Sequence, residues 1–234
     1  MKRHFLGCSL IFLTAGWVLA QDSVTALDPK GSLRQSISTE PSAMQGPRFT
    51  LQVMGGFYFP SGIGPGAPLG STVDPNLHWA PIDLRVGYLL TSPSERKSLF
   101  RGVSEILLDV TVAPVTKGYA DIITGPSLLL RYNFVQPNAR LVPYVQGGAG
   151  LVYSDGYKAQ GQDALGEAVE FLLQCQGGLR CILSDKCSLD FEFGYQHISN
   201  ANFGTHNAGL NNVGGSIGFT YYLPELRHGL FGHP

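Results

Sequence analysis

Leu189-Asp190-Phe191-Glu192-Phe193-Gly194-Tyr195-Gln196 alternates apolar and polar side chains almost without a break. Successive residues of a β-strand point to opposite faces. This run therefore puts Leu189, Phe191, Phe193 and Tyr195 on one face, against Asp190, Glu192 and Gln196 on the other. The same period of two runs from Phe49 to Leu223 and divides into about eight segments. The first carries Leu51, Val53, Gly55 and Phe57 on its apolar face, and the second Ile82, Leu84, Val86, Tyr88 and Leu90. The third sets Ile106, Leu108, Val110 and Val112 against Glu105, Asp109 and Thr111. The fourth sets Ile122, Leu128, Leu130, Tyr132 and Phe134 against Ser127, Arg131 and Asn133. A glycine-rich fifth segment lies near Leu141 to Tyr153. In the sixth, Val169, Phe171, Leu173, Cys175, Leu179 and Cys181 oppose Glu170, Gln174, Gln176 and Arg180. The eighth opposes Val213, Ile217, Phe219, Tyr221 and Leu223 to Asn212, Ser216 and Thr220.

Segments of this length, apolar on one face and polar on the other, are the signature of a transmembrane β-barrel. A soluble sandwich or lipocalin-type barrel also alternates. Two features favour the membrane form. The polar faces carry charges of both signs, which suits a salt-bridged interior, and the apolar faces lack the interspersed Lys and Glu that protect strands in water. The expected fold is all-β, an eight-stranded antiparallel up-and-down barrel of the outer-membrane type, over residues 49–223. Composition agrees. Charged residues are 14% of the 234, against about 25% in soluble domains. No uniformly apolar run of about 20 residues follows the N-terminus. A net charge of −1 gives no reason to expect nucleic acid as a partner.

The chain opens Met1-Lys2-Arg3-His4, continues apolar from Phe5 to Val18, and reaches Ala20-Gln21. A basic start, a short apolar run and a small residue at its exit read as a secretory signal over 1–20, cut after Ala20. Residues 21–48 are polar, with Pro29, Gly31, Pro41 and Pro47, and read as a flexible periplasmic leader. Residues 224–234 form a tail. Export leaves Cys175, Cys181 and Cys187 in an oxidising compartment. Cys181 and Cys187 flank a short turn; a disulfide between them and free thiols both fit the spacing. No metal-ligating pattern occurs.

Connection lengths orient the barrel. Pro60–His78, Ser154–Ala168 and Asn200–Leu210 are long, Ser92–Arg101 is shorter, Pro114–Ala120 joins the third and fourth segments, and Gln136–Arg140 and Ser184–Lys186 are short. Outer-membrane barrels keep short turns on the periplasmic side, so both termini are periplasmic and the seventh segment ends at the outer leaflet.

That end reads Tyr195-Gln196-His197-Ile198-Ser199-Asn200. His197 and Ser199 continue the lipid-facing set of Leu189 and Phe191. A polar pair on an oily face needs a reason, because an interior position was one residue away. Asn211, which opens the next segment, shares parity with Val213 and Ile217, and the hairpin brings it beside His197. The three residue types suit a nucleophile, a base and a group that fixes the imidazole tautomer. The bland alternative is a polar rim bonded to headgroups or loop backbone. His206 reads as a solvated loop residue. Glu170, Glu192 and Arg180 read as parts of a salt-bridged interior, and Tyr157 and Phe203 as loop aromatics at the outer end.

Phe193-Gly194-Tyr195-Gln196-His197-Ile198-Ser199-Asn200-Ala201, followed by Asn207-Ala208-Gly209-Leu210-Asn211 and by 213–223, resembles the PagL-type lipid A 3-O-deacylases, or acyloxyacyl hydrolases. Pro143-Tyr144, Gly147 to Gly150 and Gln174 to Gly178 are similar as well. The resemblance implies an outer-membrane barrel whose active site faces the membrane at the outer leaflet. It places the family's His and Ser on His197 and Ser199, and its oxyanion-side Asn on Asn200. Two positions depart from the family pattern. Asn211 stands where the best-known members have Glu, and Asn202 stands where a small Gly usually follows Ser-Asn-Ala. The expected activity is an outer-membrane esterase acting on lipid A of lipopolysaccharide in the outer leaflet. It uses Ser199, His197 and Asn211 with Asn200 and Asn202 at the oxyanion side, and no metal or other cofactor. The alternatives are a non-catalytic envelope scaffold or adhesin and, less well matched to a narrow filled lumen, a solute channel.

Overall fold

The computed structural model describes residues 42–62, 76–94, 98–204 and 206–224. The signal segment, most of the leader and nearly all of the tail lie outside the described residues. The strands are β1 (Arg48–Pro60), β2 (His78–Trp79), β3 (Ile82–Leu89), β4 (Val103–Lys117), β5 (Ile122–Asn133), β6 (Leu141–Ser154), β7 (Val169–Ser184), β8 (Cys187–Ser199) and β9 (Leu210–Tyr222). Each pairs antiparallel with its neighbours, and β1 pairs with β9 from Thr50↔Tyr222 to Pro60↔Asn212, which closes the sheet. β2 and β3 lie end to end between β1 and β4 and make one stave. The break between them falls at Ala80-Pro81, where proline has no N–H to give the ladder. The result is a closed eight-stranded antiparallel barrel.

The facing read from period two holds on the staves for which it was assigned, all but the glycine-rich β6. Leu51, Leu84, Leu108, Leu128, Phe191 and Phe219 are exposed on the outer wall, while Gln52, Arg85, Asp109, Arg131, Glu192 and Thr220 are buried within. An apolar belt contributed by all the staves far exceeds the patches of a few hundred Å² that soluble proteins leave exposed. Ring pairs edge the belt at both ends. Phe49–Tyr88 and Tyr132–Phe134 stand near the end where β1 begins and β9 finishes, and Phe57–His78 and Phe171–Phe203 at the far end. This is the banding of a barrel wall in lipid.

The interior is filled in three layers. At mid-height Arg85 donates to Glu192 Oε2 (2.9 Å) and Asp83 Oδ2 (3.3 Å), Arg131 to Glu105 (3.3 Å), and Arg180 to Asp190 (2.5 Å). Tyr144 lies beneath the Arg131 guanidinium, 4.6 Å from it. Gly178 makes room for this ring, since a methyl group there would stand 2.1 Å from Tyr144 Cζ. The outer end is stoppered by Tyr58, Trp79, Ile123, Leu165, Leu172 and Ile198, among others, and the inner end by Met44, Leu89, Val103, Val142 and Tyr222. A lumen packed in this way leaves the channel reading without support.

Three expectations change in detail, and one open alternative is decided. Residues 42–47 are more than a tether: Ser42–Met44 forms a 3-10 turn whose Ala43 and Met44 are fully buried in the inner apolar layer. β4 runs on to Lys117, paired with the short β2, so the connection to β5 shrinks to 118–121 although it lies at the outer end. Cys181 faces Leu189 and Cys187 faces Ser184 and Tyr221, so the turn does not bring the two thiols together, and the three cysteines among the described residues are free. Glu170 has the expected interior parity but stays out of the ion-pair layer. Its carboxylate accepts from the backbone N–H groups of Gly166 (2.8 Å) and Glu167 (3.2 Å).

Candidate active site

β8 carries His197 and Ser199 to the outer end of the wall, between β7 and β9. The register sets His197 opposite Leu173 on β7 and Asn211 on β9, and Ser199 opposite Phe171. His197 Nδ1 lies 2.7 Å from Asn211 Oδ1, and the Tyr195 hydroxyl donates to the same oxygen. An amide oxygen only accepts, so His197 carries its proton on Nδ1 and leaves Nε2 as the basic nitrogen. Although these side chains have outward parity, His197 and Asn211 are only 7% and 6% exposed. Ser199 is half-buried.

The cover over the histidine is the backbone of Gly209. A methyl group on that residue would stand 3.1 Å from His197 Cε1 and 3.6 Å from Ser199 Cβ. The ring edge and the serine thus converge on one point of the outer face. The hydroxyl and the ring are not hydrogen-bonded to each other; the hydrogen bond of the His197 side chain goes to Asn211. Gly209 has φ +74, a left-handed backbone that costs other residues about 1–2 kcal/mol. Its N–H donates to Ala164 O (3.1 Å), and the Ala208 N–H to Asp163 O (2.9 Å), which fastens the turn to the 155–168 loop.

Asn200 has interior parity and is buried. Its Nδ2 donates to His206 O (2.7 Å) and Glu170 Oε1 (3.4 Å), and its Oδ1 accepts from Asn202 N–H (3.0 Å). Ala201 and Asn202 both lie in the left-handed region, at φ 53 and φ 66. Glycine suits such a position and asparagine tolerates it better than most residues, so Asn202 accepts the conformation that Gly would take there. Asn207, which the sequence reading passed over, knits this turn: its Oδ1 accepts from Asn200 N–H and its Nδ2 donates to Asn202 Oδ1, both at 2.9 Å. The signal for Gly209 and Asn207 was their place between two strand ends, but their partners appear only once the turn closes.

The surroundings of Ser199 are oily. Phe171 and the 83%-exposed Phe203 meet at a tilt of 54° with centroids 6.3 Å apart, beside Leu173 and Val169. Tyr157 lies under the Lys158 ammonium, 5.6 Å away. His206 is solvated, 3.7 Å from Asp163. On the neighbouring turn the backbone N–H groups of Asp121 (2.9 Å) and Ile122 (3.3 Å) donate to Asp155 and hold its carboxyl below the usual range. Among the described residues no group of three His, Cys, Asp or Glu side chains is placed to hold a metal ion.

The sequence profile described as "Lipid A 3-O-deacylase (PagL)" matches residues 83–220, which takes in β3 through β9 and every site residue above. The chain belongs to the PagL family. Solved structures resemble it at low identity. Neisserial surface protein A is 15% identical with a TM-score of 0.50, covering 76% of this chain and 99% of that one. The outer-membrane enzyme PagL is 15% identical with a TM-score of 0.45, covering 75% and 99%. OprG of Pseudomonas aeruginosa is 14% identical with a TM-score of 0.40, covering 79% and 99%. No curated protein sequence matches the chain. PagL membership makes it a lipid A deacylase, an ester hydrolase, at the level of the family.

Proposed function

We propose that this PagL-family barrel releases the 3-O-linked hydroxyacyl chain of lipid A by a serine–histidine mechanism on the membrane-facing wall. The observation that carries the reading is the convergence of His197 Cε1 and Ser199 Cβ beneath Gly209, with His197 Nδ1 engaged by Asn211. Lipid A enters sideways from the outer leaflet, and its acyl chains lie along the apolar face beside Phe171, Leu173 and Phe203.

Ser199 Oγ attacks the ester carbonyl while His197 Nε2 takes the hydroxyl proton. The tetrahedral intermediate collapses, the C–O bond to the sugar breaks, and the imidazolium returns the proton to the departing sugar oxygen. Water, deprotonated by the same nitrogen, then cleaves the acyl-serine and frees the fatty acid. Asn211 holds the ring in the productive tautomer. Asn200 and Asn202 serve the oxyanion side by fixing the turn after the nucleophile, since the Asn200 amide and the Asn202 N–H are already committed to that turn.

One observation favours the second reading, a non-catalytic envelope barrel: Asn211 gives the imidazolium no countercharge. Expression of wild type and of Ser199→Ala in cells that lack the protein separates the two. The deacylase reading expects lipid A to lose one hydroxyacyl mass with wild type only. Identical lipid A in both strains leaves the scaffold reading.

A further inference from the structure

Tyr195 lies two residues before His197 on the same face of β8, and its hydroxyl shares Asn211 Oδ1 with the imidazole. This matters because Asn211 is an amide. A carboxylate offers an acceptor oxygen whichever way it turns, whereas an amide rotated by half a turn presents N–H groups where oxygen had been. In that rotated state Nδ1 would accept, the ring proton would move to Nε2, and the atom facing Ser199 would no longer be a base. The oxygen and nitrogen of Asn211 thus select between a competent and an incompetent histidine.

We infer that Tyr195 is a positioning residue that locks the Asn211 amide with its oxygen toward His197. A phenol is a good donor and a poor acceptor, because the oxygen lone pair is delocalised into the ring. With Oδ1 in place, Tyr195 gives its proton to a strong acceptor. With the amide reversed, the phenol oxygen would instead have to accept from Nδ2 in an environment facing lipid. Tyr195 and His197 both stand on β8 and both reach one atom of β9, so the phenol and the imidazole hold the same orientation of the amide. The replacement of an acid by an amide at position 211 is what gives the tyrosine this task.

The inference rests on the Ser199–His197 reading for its consequence but is measurable without it. Selective 15N labelling of the histidines in the detergent-solubilised full barrel, with His197 assigned by its loss in His197→Gln, reports the tautomer directly. The expected result is an Nδ1-protonated ring in the wild type and a clear shift toward the Nε2-protonated form in Tyr195→Phe. Kinetics supply the second readout. In Tyr195→Phe kcat falls about 10-fold with KM nearly unchanged, as expected when the loss is of base competence and not of binding. In an Asn211→Asp background, where there is no amide to reverse, the same tyrosine change costs less than about twofold. A tautomer insensitive to Tyr195→Phe, or an equal loss of kcat in both backgrounds, overturns the inference. If the tautomer shifts as expected while no form of the protein deacylates lipid A, the positioning role stands and the deacylase reading falls.

Discussion

His197 Nδ1 and Asn211 Oδ1 are 2.7 Å apart across directly paired residues of β8 and β9, on the wall that faces away from the barrel interior. An amide in this place orients the imidazole but leaves the imidazolium formed during acyl transfer without a countercharge. Asn211→Asp keeps the shape and supplies the charge. It is expected to raise kcat for lipid A at least about 10-fold, with a ceiling near the ~10⁴ that separates acid from amide in serine proteases. Initial rates of fatty-acid release measure it, and an unchanged or lower kcat counts against the orienting role.

Gly209 is tied to the site twice, through its left-handed backbone and through the space above the histidine. Gly209→Val brings a branched side chain into the gap shared by His197 and Ser199. Deacylation should fall by at least about 100-fold, well beyond what the backbone strain of about 1–2 kcal/mol would cause through stability alone. Comparing activity with the melting temperature of the same variant checks this. Parallel losses would mean that the glycine serves only the turn.

The outer face is built for lipid, so charge there carries a predictable cost. Leu128 sits near the middle of β5 on the exposed belt, opposite Leu108 and Ala149. Leu128→Arg should destabilise the inserted barrel by about 2–4 kcal/mol, measured by denaturant unfolding from vesicles. Stability unaffected by the arginine would argue that this face meets water.

Sidedness was legible in the sequence because it needs only parity: His197, Ser199 and Asn211 took their outward places from the apolar residues around them, and Glu192, Arg131 and Arg180 their inward ones. Parity alone also puts Asn200 on the interior side, where its amide is bound to Glu170 and His206 O. What parity cannot supply is register across strands and the closure of turns. That Tyr195 shares an acceptor with His197 and that Gly209 lies against the ring depend on the pairing of β8 with β9, and that Glu170 gathers the N–H groups of Gly166 and Glu167 depends on how the turn before β7 closes. Likewise, the polar leader gave no sign that Ala43 and Met44 would fill the inner end, since two small stretches of apolar surface have no period to betray them.

Arg180 is fully buried between Asp190 (2.5 Å) and Glu105 (3.5 Å), with the Tyr144 and Tyr222 rings flanking it. Replacing one partner of a buried pair strands the others. Arg180→Met should therefore cost about 3–5 kcal/mol in unfolding free energy. The folded fraction should keep its deacylase activity, because the change lies in the interior and away from the lipid-facing site. A neutral effect on stability would mean that the interior carboxylates find other compensation.

The most direct test of the central claim is the mass of lipid A after incubation with purified wild-type protein and with purified Ser199→Ala in mixed micelles. The wild type should remove one 3-O-linked hydroxyacyl chain and release it as free acid, while Ser199→Ala, folded to the same extent, should leave lipid A intact. Equal deacylation by both proteins, or by neither, would contradict the assignment of Ser199 and His197 as the nucleophile and base of this barrel.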